Sequence, residues 1–172
     1  MQAKEITIKR LDTIRDIFIF ACYTGFAYID VATLTDAHLK IGVDGNKWLI
    51  KPRQKTGISE RVPLLPPALT ILDKYAGHSS NQQKKTLLPI PSNQKVNAYL
   101  KELADICGIT TQITFHIARH TFATTVTLQN GVPIDSVSKM LGHRSIKTTQ
   151  IYAKVNDTKI SNDTKALYEK FS

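Results

Sequence analysis

Cysteine is scarce in this chain: Cys22 and Cys107 are the only two in 172 residues. Two are too few for a disulfide framework or a thiolate metal site. Both fall inside apolar helical patterns and read as buried thiols of a reducing compartment. No apolar run is long enough to cross a bilayer, and no leader-like segment is visible, which points to a soluble, cytoplasmic protein. Internal repeats and low-complexity tracts are also missing, which excludes solenoid and linker architectures. Acidic residues are few, 14 against 23 Lys and Arg, for a formal charge of +9. That balance suits a polyanion, most simply nucleic acid, although a solvated basic surface carries the same charge. What is present is ordinary globular material, 42% hydrophobic and 22% charged, long enough for one domain with a sizeable core.

The pattern predicts a mainly α domain with a small β-element. In "RLDTIRDIFIFACYTG", Leu11, Ile14, Phe18 and Cys22 recur at helical steps and Gly25 follows the end. A second short helix is expected near Asp30. "NKWLIKP" and "ERVPLL" read as the strands of a β-hairpin, with Lys55 close to its tip. Pro66 and Pro67 open a helix through Leu69, Leu72 and Tyr75, and "HSSNQQKK" reads as an exposed loop. Ser92 is a candidate N-cap for a helix carrying Val96, Leu100, Leu103 and Cys107. One helix is expected from Thr114 to Gln129, another after Pro133, and a short one capped by Ser145 that leads to Tyr152. From about Asp157 a tail helix carries Ile160, Leu167 and Phe171 on an apolar stripe.

Chemistry concentrates in the last third, which reads "FHIARH", "LGH" and "TTQIYAK" in that order. His116 and Arg119 lie three apart and share a helix face. His143 and Tyr152 lie nine apart; one unbroken helix would separate them by roughly 13 Å, and the break at "GHRS" allows the chain to fold back. Two helices, a loop and a hairpin-borne Lys55 are then able to assemble one site. His116, Arg119, His143, Tyr152 and Lys55 are all residue types that phosphodiester chemistry uses. His116 and His120 also have helical metal-ligand spacing. No Glu follows the first His, and His143 belongs to another motif, so no metal is assigned.

These motifs resemble the catalytic domain of the tyrosine recombinases, the phage-type integrases. "HIARH" is similar to the family's His-x-x-Arg-His box, and "LGHRSIKTTQIYAK" to its Leu-Gly-His box with a tyrosine nine residues later. "QKTGISERVPL" is similar to the hairpin bearing the family's lysine. "YTGFAYIDVATL" is similar to the segment in which the family has Thr-Gly-x-Arg and then an acid. Here that arginine aligns with Ala27, and Asp30 fits the acidic position. The departure resembles integrases of Bacteroidetes mobile elements. The resemblance implies a tyrosine recombinase fold and residues 1–172 as a single catalytic domain, with a tail helix over 157–172. It also implies a separate N-terminal DNA-binding domain that is absent from this chain.

The implied activity is DNA integration or excision in a bacterial cytoplasm, through a 3′-phosphotyrosyl intermediate with no cofactor. Tyr152 is the implied nucleophile and Arg119 the phosphate clamp. His116 exchanges a proton with the tyrosine, His143 hydrogen-bonds the phosphate, and Lys55 protonates the leaving oxygen. Asp30 and His120 are implied to support these groups. A substitute cation is needed for Ala27; Arg15 on the preceding helix is the first candidate, and Arg53, Arg61 and Arg144 are weaker ones. The implied partners are double-stranded DNA, bound weakly and salt-sensitively by this piece, and further copies of the chain. Those copies form a tetramer on paired sites, the isolated domain being a monomer in the alternative. "IDSVSKMLGHRSIKTTQIYA" also resembles a helix-turn-helix, so a non-catalytic or degenerate DNA-binding protein is the rival reading. A type IB topoisomerase-like enzyme is a third.

Overall fold

The computed structural model describes residues 1–78, 85–153 and 157–171. Most of the expected polar loop at 78–85 lies outside the described residues. Helix α1, Lys9–Thr24, runs through the core and packs against α3, Pro66–Tyr75; α4, Asn93–Ile106; and α5, Phe115–Thr121. Leu11, Ile14, Phe18 and Cys22 are buried as the spacing predicts. Gly25 ends α1 in the left-handed region at φ 73° and donates its amide to the Ala21 carbonyl. A Cβ at Gly25 would come within 2.5 Å of Phe122, so both backbone and packing require glycine there.

Helix α2, Tyr28–Ala32, follows directly. The β-element is larger than the expected hairpin. Strand β1, Leu39–Ile41, adds to β2, Lys47–Pro52, and β3, Ser59–Pro63, in an antiparallel sheet of order β1-β2-β3. Leu39 opposes Leu49, and Leu49 opposes Val62. Leu49 and Val62 are buried, whereas Ile41 is exposed. Strand β1 is short and lacks a buried alternation, so periodicity does not reveal it. Its turn is held by Asp44, which accepts from the Asn46 amide and from Trp48 Nε1.

Pro66 starts α3, but Ala68, Ile71 and Tyr75 form its buried stripe; Leu69 and Leu72 are half-buried. Ser92 caps α4 by accepting from the Lys95 amide. The expected helix over 114–129 is helical throughout but changes pitch: α5 gives way to a π-helical segment, Phe122–Thr127, and then to a 3-10 turn, Leu128–Asn130. Thr127 Oγ1 donates to the Phe122 and Ala123 carbonyls, bonding across the widened turn. Helix α6, Ile134–Met140, packs on β3, and α7, Lys147–Gln150, leads to Tyr152. In the tail helix α8, Asp157–Phe171, the expected stripe of Ile160, Leu167 and Phe171 is exposed. Cys22 is buried, and burial pushes its thiol up to about 12. Cys107 is only half-buried, because it sits past the end of α4 where the apolar face turns out of the core.

Candidate active site

The packing of α5 between α1 and the α6 end turns Arg119 inward. Its side chain is one of the largest that are fully buried, at 2% exposure. Nη1 donates to the Gly25 carbonyl at 2.6 Å and to Glu60 Oε1 at 2.7 Å. Nη2 donates to the Leu141 carbonyl and lies 3.4 Å from His143 Nε2. A guanidinium only donates, so His143 Nε2 is the acceptor of that pair. Nδ1–H then faces Thr149 Oγ1 at 2.8 Å, and the imidazole is neutral. Its pKa falls to about 4, through burial first and then the nearby charges of Arg119 and Arg53. Thr149 is itself buried in α7. The chain break that the sequence places at "GHRS" thus folds α7 back beneath His143.

Tyr152 is buried at 8% exposure, two residues beyond the end of α7. Its ring stacks on His143 with centroids 6.4 Å apart and meets the edge of His120 at 5.1 Å. His120 itself is exposed, and so is His116 on the same helix. His116 and Arg119 border a cleft of about 250 Å³ that also contains Ala27, Tyr28, Asn93 and Asn97. The position without an arginine therefore opens directly onto the candidate site. Among the described residues, no group of three or more His, Cys, Asp and Glu side chains is arranged to hold a metal ion.

The hairpin closes the opposite side. Asp30, 1% exposed on α2, accepts from the Gln54 amide at 2.9 Å and pairs with Lys51 at 3.6 Å. These contacts fix the base of the β2–β3 turn. Thr56 Oγ1 donates to the Gly142 carbonyl, and Arg144 reaches the Thr56 carbonyl at 3.5 Å. Lys55 stands exposed in the turn, away from the buried cluster and without a hydrogen bond or ion pair among the described residues.

Arg15 is held elsewhere. Its guanidinium donates to Asp12, Asp16 and the Lys4 carbonyl, and Lys74 binds the same two carboxylates. It belongs to a tie between α1 and α3. Of the weaker candidates, Arg61 is exposed and alternates outward from β3. Arg53, 15% exposed, lies against the cluster: its Nε is 3.9 Å from Glu60 Oε1. Burial lowers its pKa, and the charge of Arg119 adds to that, against the fields of Glu60, Asp30 and Tyr152.

No sequence motif singles out Glu60. It is 1% exposed and touches both arginines. Burial raises its carboxyl to about 7 against the opposing pull of Arg119. The signal for it was present: Glu60 is in phase with Val62 on the buried face of β3, where an unpaired carboxylate is costly. Gly25 supplies a carbonyl to Arg119, a role that its helix-stop position in the sequence does not reveal.

The geometry agrees with comparisons to known proteins. The model of the phage integrase family matches residues 7–159. The tyrosine recombinase XerD of Halalkalibacterium halodurans is 35% identical over 133 residues, covering 74% of this chain and 44% of the relative. The tyrosine recombinase XerA of Thermococcus onnurineus is 34% identical over 152 residues, covering 82% and 51%. The chain thus spans about half the length of the curated relatives it matches. Among solved structures, an XerA recombinase superposes with a TM-score of 0.63 at 22% identity, covering 90% of this chain and 62% of the other. An XerH site-specific recombinase, bound to a palindromic difH substrate in a post-cleavage complex, gives 0.71 at 16%, covering 98% and 49%. These two superpositions establish the fold. Matched in sequence over most of its length and folded like the recombinases, the chain belongs to the phage integrase family.

Proposed function

We propose that this chain is the catalytic domain of a site-specific DNA recombinase that cuts and rejoins duplex DNA through a 3′-phosphotyrosyl intermediate. The observation that carries the reading is the convergence of Arg119, His143 and Tyr152 on one buried cluster from helix α5, the loop after α6 and the turn after α7. Family membership and the Xer recombinases it resembles support it.

In this mechanism the Tyr152 oxygen attacks the scissile phosphorus as the bond from phosphorus to the 5′ oxygen breaks. The tyrosine proton passes to His116, and Lys55 protonates the departing 5′ oxygen. The phosphoryl energy is kept in the tyrosyl ester, so rejoining needs no nucleotide cofactor. Arg119 holds the non-bridging oxygens where charge builds. Its contact with His143 is the longest of its four, so the phosphate enters between those two side chains. To bind a non-bridging oxygen, the neutral His143 takes its other tautomer: Nε2–H donates to the phosphate while Nδ1 accepts from the Thr149 hydroxyl. Asp30 keeps the hairpin base in register for Lys55.

Arg53, rather than Arg15, is the cation that stands in for the arginine absent at Ala27. It reaches the cluster from the hairpin, whereas Arg15 is neutralised at α1 and α3. Recombination on paired sites by four copies, in a bacterial cytoplasm, is part of the same reading. Among the described residues no helix is long and apolar enough to cross a membrane. Ala27 also favours a second reading, a degenerate integrase that binds DNA without cutting it.

The test is covalent trapping on nicked suicide duplexes drawn from DNA flanking the protein's own gene. A denaturant-resistant adduct is expected, lost in Tyr152→Phe with DNA binding unchanged. Binding without an adduct in the wild type would favour the degenerate integrase.

A further inference from the structure

Arg53 and Arg119 bring two guanidinium groups into one poorly solvated place, where like charges repel. Glu60 is the side chain between them. Its Oε1 is 2.7 Å from Arg119 Nη1 and 3.9 Å from Arg53 Nε. Two buried polar atoms here have no hydrogen-bond partner among the described residues, Arg53 Nε and Glu60 Oε2. One is a donor and the other an acceptor, and they sit on the two members of the looser ion pair. The backbone makes room for this carboxylate. A Cβ built on Gly142 would stand 2.9 Å from Glu60 Cγ, 3.2 Å from the Ile58 carbonyl and 3.7 Å from Arg53 Cβ. The glycine of the "LGH" segment therefore lets the Glu60 stem pass between the hairpin and the α6 end.

We infer that Glu60 is a positioning residue that spaces Arg53 and Arg119 as a pair for one phosphate. This rests on the recombinase reading above. The ionised carboxylate offsets the repulsion between the two cations and keeps Arg53 turned inward. Protonated or replaced by an amide, it still accepts from Arg119 but no longer holds Arg53, which sits nearer solvent. The charged and titratable groups that face Glu60 are Arg119 from α5, Arg53 from the turn after β2, and Asp30 from α2. Lys51 lies opposite it on β2, and His143 lies beside Arg119. With its carboxyl near 7, the clamp closes as pH rises through neutrality.

The test measures single-turnover cleavage of suicide DNA at pH 6 to 8.5 by the wild type, Glu60→Gln, Arg53→Ala and the double variant. At pH 8 each single substitution is expected to lower cleavage about tenfold or more. The double variant should fall within about threefold of Arg53→Ala alone, because the two side chains act as a unit. The wild-type profile should show a step near pH 7 that Glu60→Gln lacks. Wild-type cleavage by Glu60→Gln, multiplicative losses, or an unchanged step in that variant would each overturn the inference. A second readout does not depend on cleavage: nitrogen-15 NMR of the arginine side chains. Slow guanidinium rotation at Arg53 in the wild type, lost in Glu60→Gln, is expected. Equal mobility in both proteins would overturn the inference even if the wild type proves unable to cut DNA, an outcome that would by itself sink only the recombinase reading.

Discussion

Among the described residues, two arginine–carboxylate networks differ in charge balance. In the first, Arg15 and Lys74 face Asp12 and Asp16, two cations against two anions, and Tyr75 donates a further bond to Asp16. Against a burial penalty, the two carboxylates raise Lys74 to about 12, so Lys74 stays charged. In the second, Arg53 and Arg119 share the single carboxylate of Glu60, and that carboxylate is shifted to about 7. The neighbouring Lys51–Asp30 pair is neutral overall. A balanced network joins helices. An unbalanced, buried one holds excess positive charge that a phosphate can neutralise. The strongest cationic neighbour in sequence, Arg15, belongs to the wrong network because its side chain points to α3.

The largest expected break in this contrast is Arg119→Ala. It removes the clamp and strands Glu60 without its closest cation. DNA cleavage should drop by roughly 10²–10³ or more, and stability by about 3 kcal/mol, read by suicide-substrate kinetics and urea unfolding. Arg53→Ala comes next, with a loss of about tenfold to a hundredfold in cleavage and little change in unfolding midpoint. Ala27→Arg should restore much of that loss, since position 27 borders the cleft beside Arg119 and His116. If Ala27→Arg helps the wild type as much as the Arg53→Ala variant, Arg53 is not the stand-in.

A smaller effect separates the networks by pH. Glu60 titrates higher in the fold than its ordinary 4.5, so its contribution is full at low pH and is lost as pH rises from about 4.5 to 7. His143 titrates lower than its ordinary 6.5, so its contribution is full above that value and is lost as pH falls toward about 4. Over the shared window the two slopes oppose each other. His143→Gln should therefore leave a protein that loses stability from pH 5 to 7, and Glu60→Gln one that loses it from pH 6.5 to 4.5. Chemical denaturation across that range checks both signs; parallel curves for the two variants would refute them. Smallest of all is Arg15→Ala: stability lower by about 1 kcal/mol, with cleavage within about twofold of wild type. A tenfold loss of cleavage would return Arg15 to the candidate site.

Much of the fold was legible because burial imposes periodicity. Leu11, Ile14, Phe18 and Cys22 mark α1, and Gly25, Gly108 and Gly131 end helical segments at positive φ. Strand β1 was not legible, since a three-residue edge strand with Ile41 exposed has no buried alternation. The change of pitch after Thr121 was not either, because α and π turns bury the same Phe122 and Ala123 stripe. For the candidate site, the motifs named Arg119, His143 and Tyr152, which the structure brings together. They did not show that Glu60 lies between two arginines, a contact 59 residues away in sequence from Arg119.

The sequence by itself determined the main helices and the β2–β3 hairpin, the positive charge and the order of the His, Arg, His and Tyr residues, because these follow from local spacing and composition. Only the tertiary structure decided which arginine stands beside Arg119, which carboxylate is buried with it, and that His143 is neutral. Those outcomes depend on distance and desolvation between segments remote in the chain, and electrostatic energies inside a protein are set by both.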